Sequence, residues 1–257
     1  MQPISELGDE LHRARTLVQE AERVVVLTGA GISTDSGIPD FRGPEGLWTK
    51  NPEAEKTATL SSYVADPELR KRNWQRLAEG SMWEGKSPNP GHRALVELER
   101  QGKLHTLITQ NVDGLHRAAG TSEERLVEIH GTTSKVRCLT CGDLNPMASA
   151  LERVRAGEAD PPCLICGGIL KSATISFGQN LVMEDLARSE QAAQECDLLL
   201  AVGSTLTVYP IANVVPIAHQ AGARLVIVNA DPTPFDGMAT VVLPASISDA
   251  LPVIVAS

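Results

Sequence analysis

The chain has 257 residues, a length that suits one large domain or a domain with a small insert. Hydrophobic residues make up 42% but aromatics only 3%, so the core must be mostly Val, Leu, Ile and Ala, the usual material of a covered parallel sheet. A net charge of −9 without a long Lys/Arg run argues against a nucleic-acid binder, and no apolar run reaches membrane-spanning length.

The first residues are mixed and charged, with no signal-peptide core, so the expected location is the cytoplasm. Cysteines stay reduced there, and five of them point to metal or catalysis rather than disulfides. The acidic balance suits basic partners such as lysine-bearing segments.

In chain order, residues 5–21 read as an amphipathic helix with Leu7, Leu11, Ala14, Leu17, Val18 and Ala21 on one face. Arg23–Thr28 reads as a buried strand, followed at once by a glycine-rich turn, Gly29-Ala-Gly31-Ile-Ser33, and an expected helix. From Gly43 to about Lys86 the pattern turns polar and holds Trp48, Tyr63, Trp74 and Trp83. That stretch reads as a helical insert over the nucleotide site, with a helix near Pro67–Glu79. Further helices are expected at 90–101, 183–194 and 209–221. Strands are expected at 104–109, 126–129, 197–202, 224–229 and 239–243. This alternation predicts an α/β, Rossmann-like doubly wound parallel sheet. Its large part covers approximately 1–42, 86–130 and 176–257, with the insert at 43–85 and a zinc-binding module at 131–175.

The zinc expectation rests on Cys138-Leu-Thr-Cys141 and Cys163-Leu-Ile-Cys166, two C-x-x-C knuckles separated by 21 residues. Each knuckle can place two thiolates on one tetrahedral ion, and four thiolates leave no position for a catalytic water. Gly142 and Gly167 follow the second cysteine of each pair and permit a tight turn. Cys196, just before an apolar strand, reads as a small core residue.

The glycine turn alone is a weak nucleotide signal. The third glycine of the dehydrogenase fingerprint falls at Thr34, and no acid ends a second strand about 20 residues on, which argues against hydride transfer.

The wider segment Gly29-Ala-Gly-Ile-Ser-Thr-Asp-Ser-Gly-Ile-Pro-Asp-Phe-Arg-Gly43, with Gly46-Leu-Trp48, resembles the N-terminal signature of the sirtuin family. So do Thr109-Gln-Asn-Val-Asp-Gly-Leu-His116, His130-Gly131, Phe177-Gly178, Gly203-Ser-Thr-Leu-Thr-Val-Tyr-Pro210 and Val228-Asn229, in the family's order. The resemblance spans about residues 20 to 250. It implies an NAD-consuming protein deacylase, most readily a deacetylase, that yields nicotinamide, free lysine and 2′-O-acyl-ADP-ribose. A protein mono-ADP-ribosyltransferase using the same site is the alternative.

The same resemblance assigns roles. His130 serves as general base on the ribose hydroxyls, with Asn111 beside it in the chemistry. Gly29, Gly31, Ser33, Gln110 and Asp113 contact the cofactor, and Ala30, Ile32 and Asp40 form the nicotinamide pocket. Phe41 shields the reactive carbon and Arg42 supports the phosphates. Gly203, Ser204 and Thr205 bond phosphate and ribose, Asn229 holds the adenine ribose, and Ser246 or Ile247 touches the adenine. Ile175, Phe177 and Gly178 offer a strand edge to an acyl-lysine peptide. The other histidines, His92 and His116 among them, read as structural or surface residues.

Two departures stand out. Gln179 replaces the family's glutamate after Phe177-Gly178, and Ser204-Thr205 swaps the usual hydroxyl order. Succinyl-removing members carry Tyr-x-x-Arg in the insert, and an ungapped alignment puts Leu77 and Gly80 there. A buried carboxylate without a cation is costly, so a neutral acyl group is expected.

Overall fold

The computed structural model describes residues 2–40, 43, 46–50, 58–80 and 83–256. Six strands, β1 (Val24–Thr28), β2 (Leu104–Thr109), β3 (Leu126–Glu128), β7 (Leu198–Val202), β8 (Arg224–Val228) and β9 (Val241–Leu243), form one sheet. All neighbours pair in parallel, in the order β3-β2-β1-β7-β8-β9. The order reverses between β1 and β7, which opens a crevice at their carboxyl ends, where such sheets bind ligands. Between β3 and β7 in sequence, β4 (Gly131–Cys138), β5 (Leu144–Pro146) and β6 (Leu170–Thr174) form a small antiparallel sheet ordered β5-β4-β6.

The central strand explains its own composition. Val24 and Val26 face one apolar cluster while Val25 and Leu27 face another, so every side chain from 24 to 27 is buried. Each contributes about 2 kcal/mol. The first cluster is covered by α1 (Gly8–Glu20), α5 (Pro90–Arg100) and α10 (Ile247–Val255). The second lies under α8 (Met183–Glu195) and α9 (Val214–Gln220). Helix α10 was not expected. Its Ile247, Ala250, Leu251, Ile254 and Val255 are all buried at helical spacing, but Pro252 lies inside the run and obscures the pattern.

The expected helix after the glycine turn is instead a 3-10 segment, Ala30–Ser36, ended by Gly37 in the left-handed region. Ser, Thr and Asp compete with helical backbone bonds there, so a regular α-helix does not propagate. The stretch at 209–221 likewise divides into a 3-10 turn, Ile211–Asn213, and the short α9.

In the insert, α2 (Leu47–Lys50) and α3 (Leu60–Ala65) precede α4 (Pro67–Glu79). Asp66 caps α4 by accepting from the Glu68 and Leu69 amides, with Pro67 at the first helical position. This helix is bound to the small sheet rather than to the large one. Trp74 is fully buried in one cluster with Val136, Cys138, Met147, Cys163 and Leu170. Tyr63 Oη donates to Leu170 O at 2.9 Å, and Arg70 Nε to Asp160 at 2.9 Å. Among the described residues the remaining α-helices are α6 (Leu115–Ala119) after β2 and α7 (Met147–Arg155) on the small sheet.

Candidate active site and metal centre

A cleft of about 1660 Å³ runs along the carboxyl ends of β1, β2 and β7 and on between the insert and the small sheet. Gly29, Ala30, Gly31, Asp40, Gln110, Asn111, His130, Ile175, Phe177 and Gly178 line it. So do Gly203, Ser204, Thr205, Asn229, Ser246 and Ile247. Phe41 and Arg42 lie outside the described residues.

The glycines act first on each other. Gly29 N donates to Val202 O at 3.0 Å and Gly31 N to Gly203 O at 2.9 Å, stitching the loops after β1 and β7 together. Gly203 has φ +61°, and a Cβ on it would lie 2.5 Å from Ile32 N. Any side chain at Gly203 is excluded twice, by conformation and by contact.

Beside the cleft sits a small recess lined by Ala30, Ser33, Ile38, Pro39, Asn111, Val112 and Asp113. Asn111 Nδ2 donates to Gly29 O at 3.0 Å and to Ser33 Oγ at 3.2 Å, and Ser33 Oγ donates to Asp113 Oδ2 at 2.7 Å. Burial raises the Asp113 carboxyl, while bonds from Leu115 N and Ser33 oppose the shift. The Ile32 side chain is buried in the sheet's first cluster and lines neither cavity. Ile38, Pro39 and Val112 take that ground, although all three stand inside the motif segments.

His130 is half-buried between β3 and β4. Its Nδ1 lies 3.0 Å from Gln110 O. A carbonyl only accepts, so Nδ1 carries a proton, and Nε2 is the ring nitrogen that can exchange one. The next residue, Gly131, has φ +74°, and a Cβ there would collide with Ala173 O. That close approach lets Ile175 N donate to His130 O at 2.8 Å.

Toward the other end, Gln110 Nε2 donates to Ser204 Oγ at 2.8 Å. Thr205 is exposed, and Asn229 Nδ2 donates to Asp231 O at 2.7 Å. Ser246 and Ile247 begin α10.

The expected extended edge at Ile175–Gly178 is shorter than the sequence suggests. Phe177 N donates to Ala58 O and Phe177 O accepts from Leu60 N, so the insert uses that pair. Gln179 closes a turn: its N bonds Ser176 O, and its Oε1 accepts from Ser176 N. Leu77 and Gly80 both line the cleft, together with Arg72, Asn73 and Arg76. Lys171 also lines it, with its ammonium bonded to the carbonyls of Ser172 and Thr174.

The four knuckle cysteines converge. Cys138 and Cys166 sulfurs lie 3.5 Å apart, Cys141 and Cys163 3.7 Å, and all four are within 4.8 Å of one another. Tetrahedral zinc with Zn–S of about 2.3 Å needs sulfurs about 3.8 Å apart. The donor set therefore fits a structural zinc, and the amides of Thr140 and Cys141 point at the Cys138 sulfur as they do around a metal thiolate.

His92 and His116 are buried with rings 4.9 Å apart. Burial pushes His92 down to about 4 and His116 well below its ordinary value. Unfolding frees both to take protons, so stability is complete above pH 6.5 and falls as pH drops toward 4. At pH 5 His92 alone is expected to cost about 2 kcal/mol. Urea midpoints of the wild type and of His92→Asn at pH 7 and pH 5 check this through a smaller pH loss in the variant.

The α/β sheet, the crevice at its switch point and the four-cysteine module define a nucleotide-using protein with a structural metal. Comparison with known proteins narrows this. The Sir2 family pattern matches residues 29–210, and the chain belongs to that family. It is 48% identical over 229 residues to NAD-dependent protein deacetylase 2 of Streptomyces coelicolor, covering 89% of this chain and 95% of that one. It is 38% identical to NAD-dependent protein deacylase 2 of Archaeoglobus fulgidus, over 97% of this chain and 96% of that one. A solved Sir2–p53 peptide–NAD+ complex superposes with TM-score 0.81 at 30% identity, covering 97% of this chain and 96% of that one.

Proposed function

We propose that this chain is an NAD-dependent protein lysine deacetylase, with zinc held by Cys138, Cys141, Cys163 and Cys166 as a structural ion. NAD supplies a ribose carbon activated by the departure of nicotinamide. The observation that carries the reading is His130: it lines the cleft together with Asn111, and with its Nδ1–H fixed on Gln110 O the nitrogen assigned as base is Nε2. In this reading the acyl-lysine carbonyl oxygen bonds to that ribose carbon as nicotinamide leaves, so departure depends on the acyl group. Nε2 then takes the ribose hydroxyl proton, the 2′-oxygen attacks the acyl carbon, and water releases free lysine and 2′-O-acyl-ADP-ribose.

Asn111, Ser33 and Asp113 orient the nicotinamide end, and the carboxamide ring sits where the cleft opens onto the recess beside them. Gly29, Gly31, Gly203, Ser204 and Thr205 offer amides and hydroxyls to the phosphates. Asn229, Ser246 and Ile247 serve the adenosine end. The substrate peptide runs along Ile175, Phe177 and Gly178, and because the insert already pairs with Phe177, its backbone bonds fall to the flanks. The small sheet with its cysteines acts as one unit at 131–175, joined to the insert at 43–85. The location proposed is the cytoplasm, where thiolate ligands for zinc stay reduced. Among the described residues no helix is long and apolar enough to cross a membrane.

Labelled NAD+ incubated with an acetylated protein tests the reaction. Label is expected in acetylated ADP-ribose; label retained on the protein indicates ADP-ribosyl transfer and contradicts the reading. The acyl preference has its own test. Leu77 and Gly80 give a carboxylate no partner, Arg72 faces Asp66, Arg76 bonds Asn73, and Lys171 is already engaged by carbonyls. Deacetylation is expected to exceed desuccinylation by at least about tenfold in kcat/KM; faster desuccinylation refutes the neutral-acyl preference.

A further inference from the structure

Two buried imidazoles lie outside the chemistry above, on α5 and α6. An apolar ring of similar size fills the same volume without the cost of burying nitrogen, so His92 and His116 call for an account by their bonds. Those bonds run in two directions. Thr28 Oγ1 donates to Thr109 Oγ1 at 2.8 Å, so the 3.0 Å contact between His116 Nε2 and Thr28 Oγ1 has His116 as the donor. Thr109 Oγ1 in turn accepts from Asn111 N at 3.1 Å. On the other side, His92 Nδ1 lies 3.0 Å from Asn89 Oδ1, and Asn89 Nδ2 donates to Ile32 O at 2.7 Å.

Two polar arms therefore meet at the imidazole pair: Ile32 O–Asn89–His92, and His116–Thr28–Thr109–Asn111 N, while His92 Nε2 and His116 Nδ1 make no hydrogen bond. Between the two imidazoles the link is ring packing, with planes tilted by 55°. The outer ends of the arms sit on the two turns that wall the small recess, because Ser33 follows Ile32 and Asn111 stands opposite. Those turns meet again at the recess, through Asn111 Nδ2 on Ser33 Oγ and Ser33 on Asp113. The recess wall is a closed ring of contacts with the histidine pair as its far side. Ile32 takes part through its carbonyl rather than its side chain.

We propose that His92 and His116 are positioning residues that set the spacing of the Ile32–Ser33 and Asn111–Asp113 turns, and with it the fit of the recess mouth to an aromatic carboxamide. The inference rests on the placing of nicotinamide where the cleft opens onto the recess. Both imidazoles are neutral near pH 7, as a pair this close requires.

Thr28→Val cuts the link at nearly constant volume, Thr28→Ser keeps it, and His116→Phe keeps a ring without the donor. Readouts are the inhibition constant for free nicotinamide, KM for NAD, and direct binding of an acetyl-lysine peptide. Thr28→Val and His116→Phe are expected to weaken nicotinamide inhibition and raise KM for NAD about fivefold to tenfold, the effect of one hydrogen bond. Peptide affinity should stay unchanged, and Thr28→Ser should lie within about twofold of wild type. Nicotinamide inhibition at the wild-type level in a folded Thr28→Val overturns the proposal. So does a parallel loss of peptide affinity, or a Thr28→Ser as impaired as Thr28→Val. If one variant fails to fold, the other carries the same comparison. A wild type without NAD-dependent deacetylation sinks the functional reading instead, so the two failures are told apart.

Discussion

His130→Ala is expected to lower kcat for deacetylation by about 10²- to 10⁴-fold, the usual contribution of a positioned general base. KM for NAD should change little. The His130 ring holds Gln110 O, and Gln110 N is independently held by Thr28 O at 2.9 Å. In the proposed order, nicotinamide leaves before Nε2 acts. Exchange of labelled nicotinamide into NAD should therefore survive the substitution better than deacetylation does. An equal loss of both activities would place His130 in binding or folding instead, and undiminished turnover would remove it from the mechanism.

Metal removal is the second large effect. Cys138 and Cys163 are ligand candidates and also members of the cluster around Trp74, so loss of the ion reaches α4 directly. Structural zinc is worth about 10–16 kcal/mol in small finger peptides. Even a third of that lowers the unfolding midpoint of a chain this size by roughly 10 °C. A strong chelator, or Cys138→Ser, is expected to produce that drop together with a red shift of Trp74 emission. Metal analysis of untreated protein should find about one zinc per chain. Absence of zinc, with chelation leaving the midpoint in place, contradicts the four-cysteine assignment.

The sheet was legible because its strands are buried on both faces: Val24–Leu27 and Leu198–Val202 are unbroken apolar runs that only a covered parallel sheet accommodates. The cysteine module was legible from spacing alone. Helix α10 was not, since Pro252 interrupts an otherwise clear apolar face. The 3-10 character of Ala30–Ser36 escaped for a different reason. Gly29 and Gly31 were read as making room for a phosphate, whereas they also make room for Gly203 across the crevice. Contacts between segments so distant in sequence leave no local signal.

The site shows the same division. The Gln110–Asp113 segment and His130 carried enough pattern to be singled out, and Asn111, Asp113 and Ser33 converge within hydrogen-bond distance. The Ile32 side chain is buried against the sheet, which its motif does not show, because a motif names residues without saying which way they point. His92 and His116 gave no hint of contact, being 24 positions apart on separate helices. The edge at Phe177 was overestimated because the insert's pairing with it cannot be read from either segment alone.

The central claim is that nicotinamide leaves only when an acyl-lysine is there to be deacylated. The direct measurement is nicotinamide released from NAD+ with an acetyl-lysine peptide and with the same peptide unacetylated, each against free lysine formed. The account predicts one nicotinamide per lysine freed and almost none with the unacetylated peptide. Nicotinamide release that does not depend on the acetyl group would contradict it.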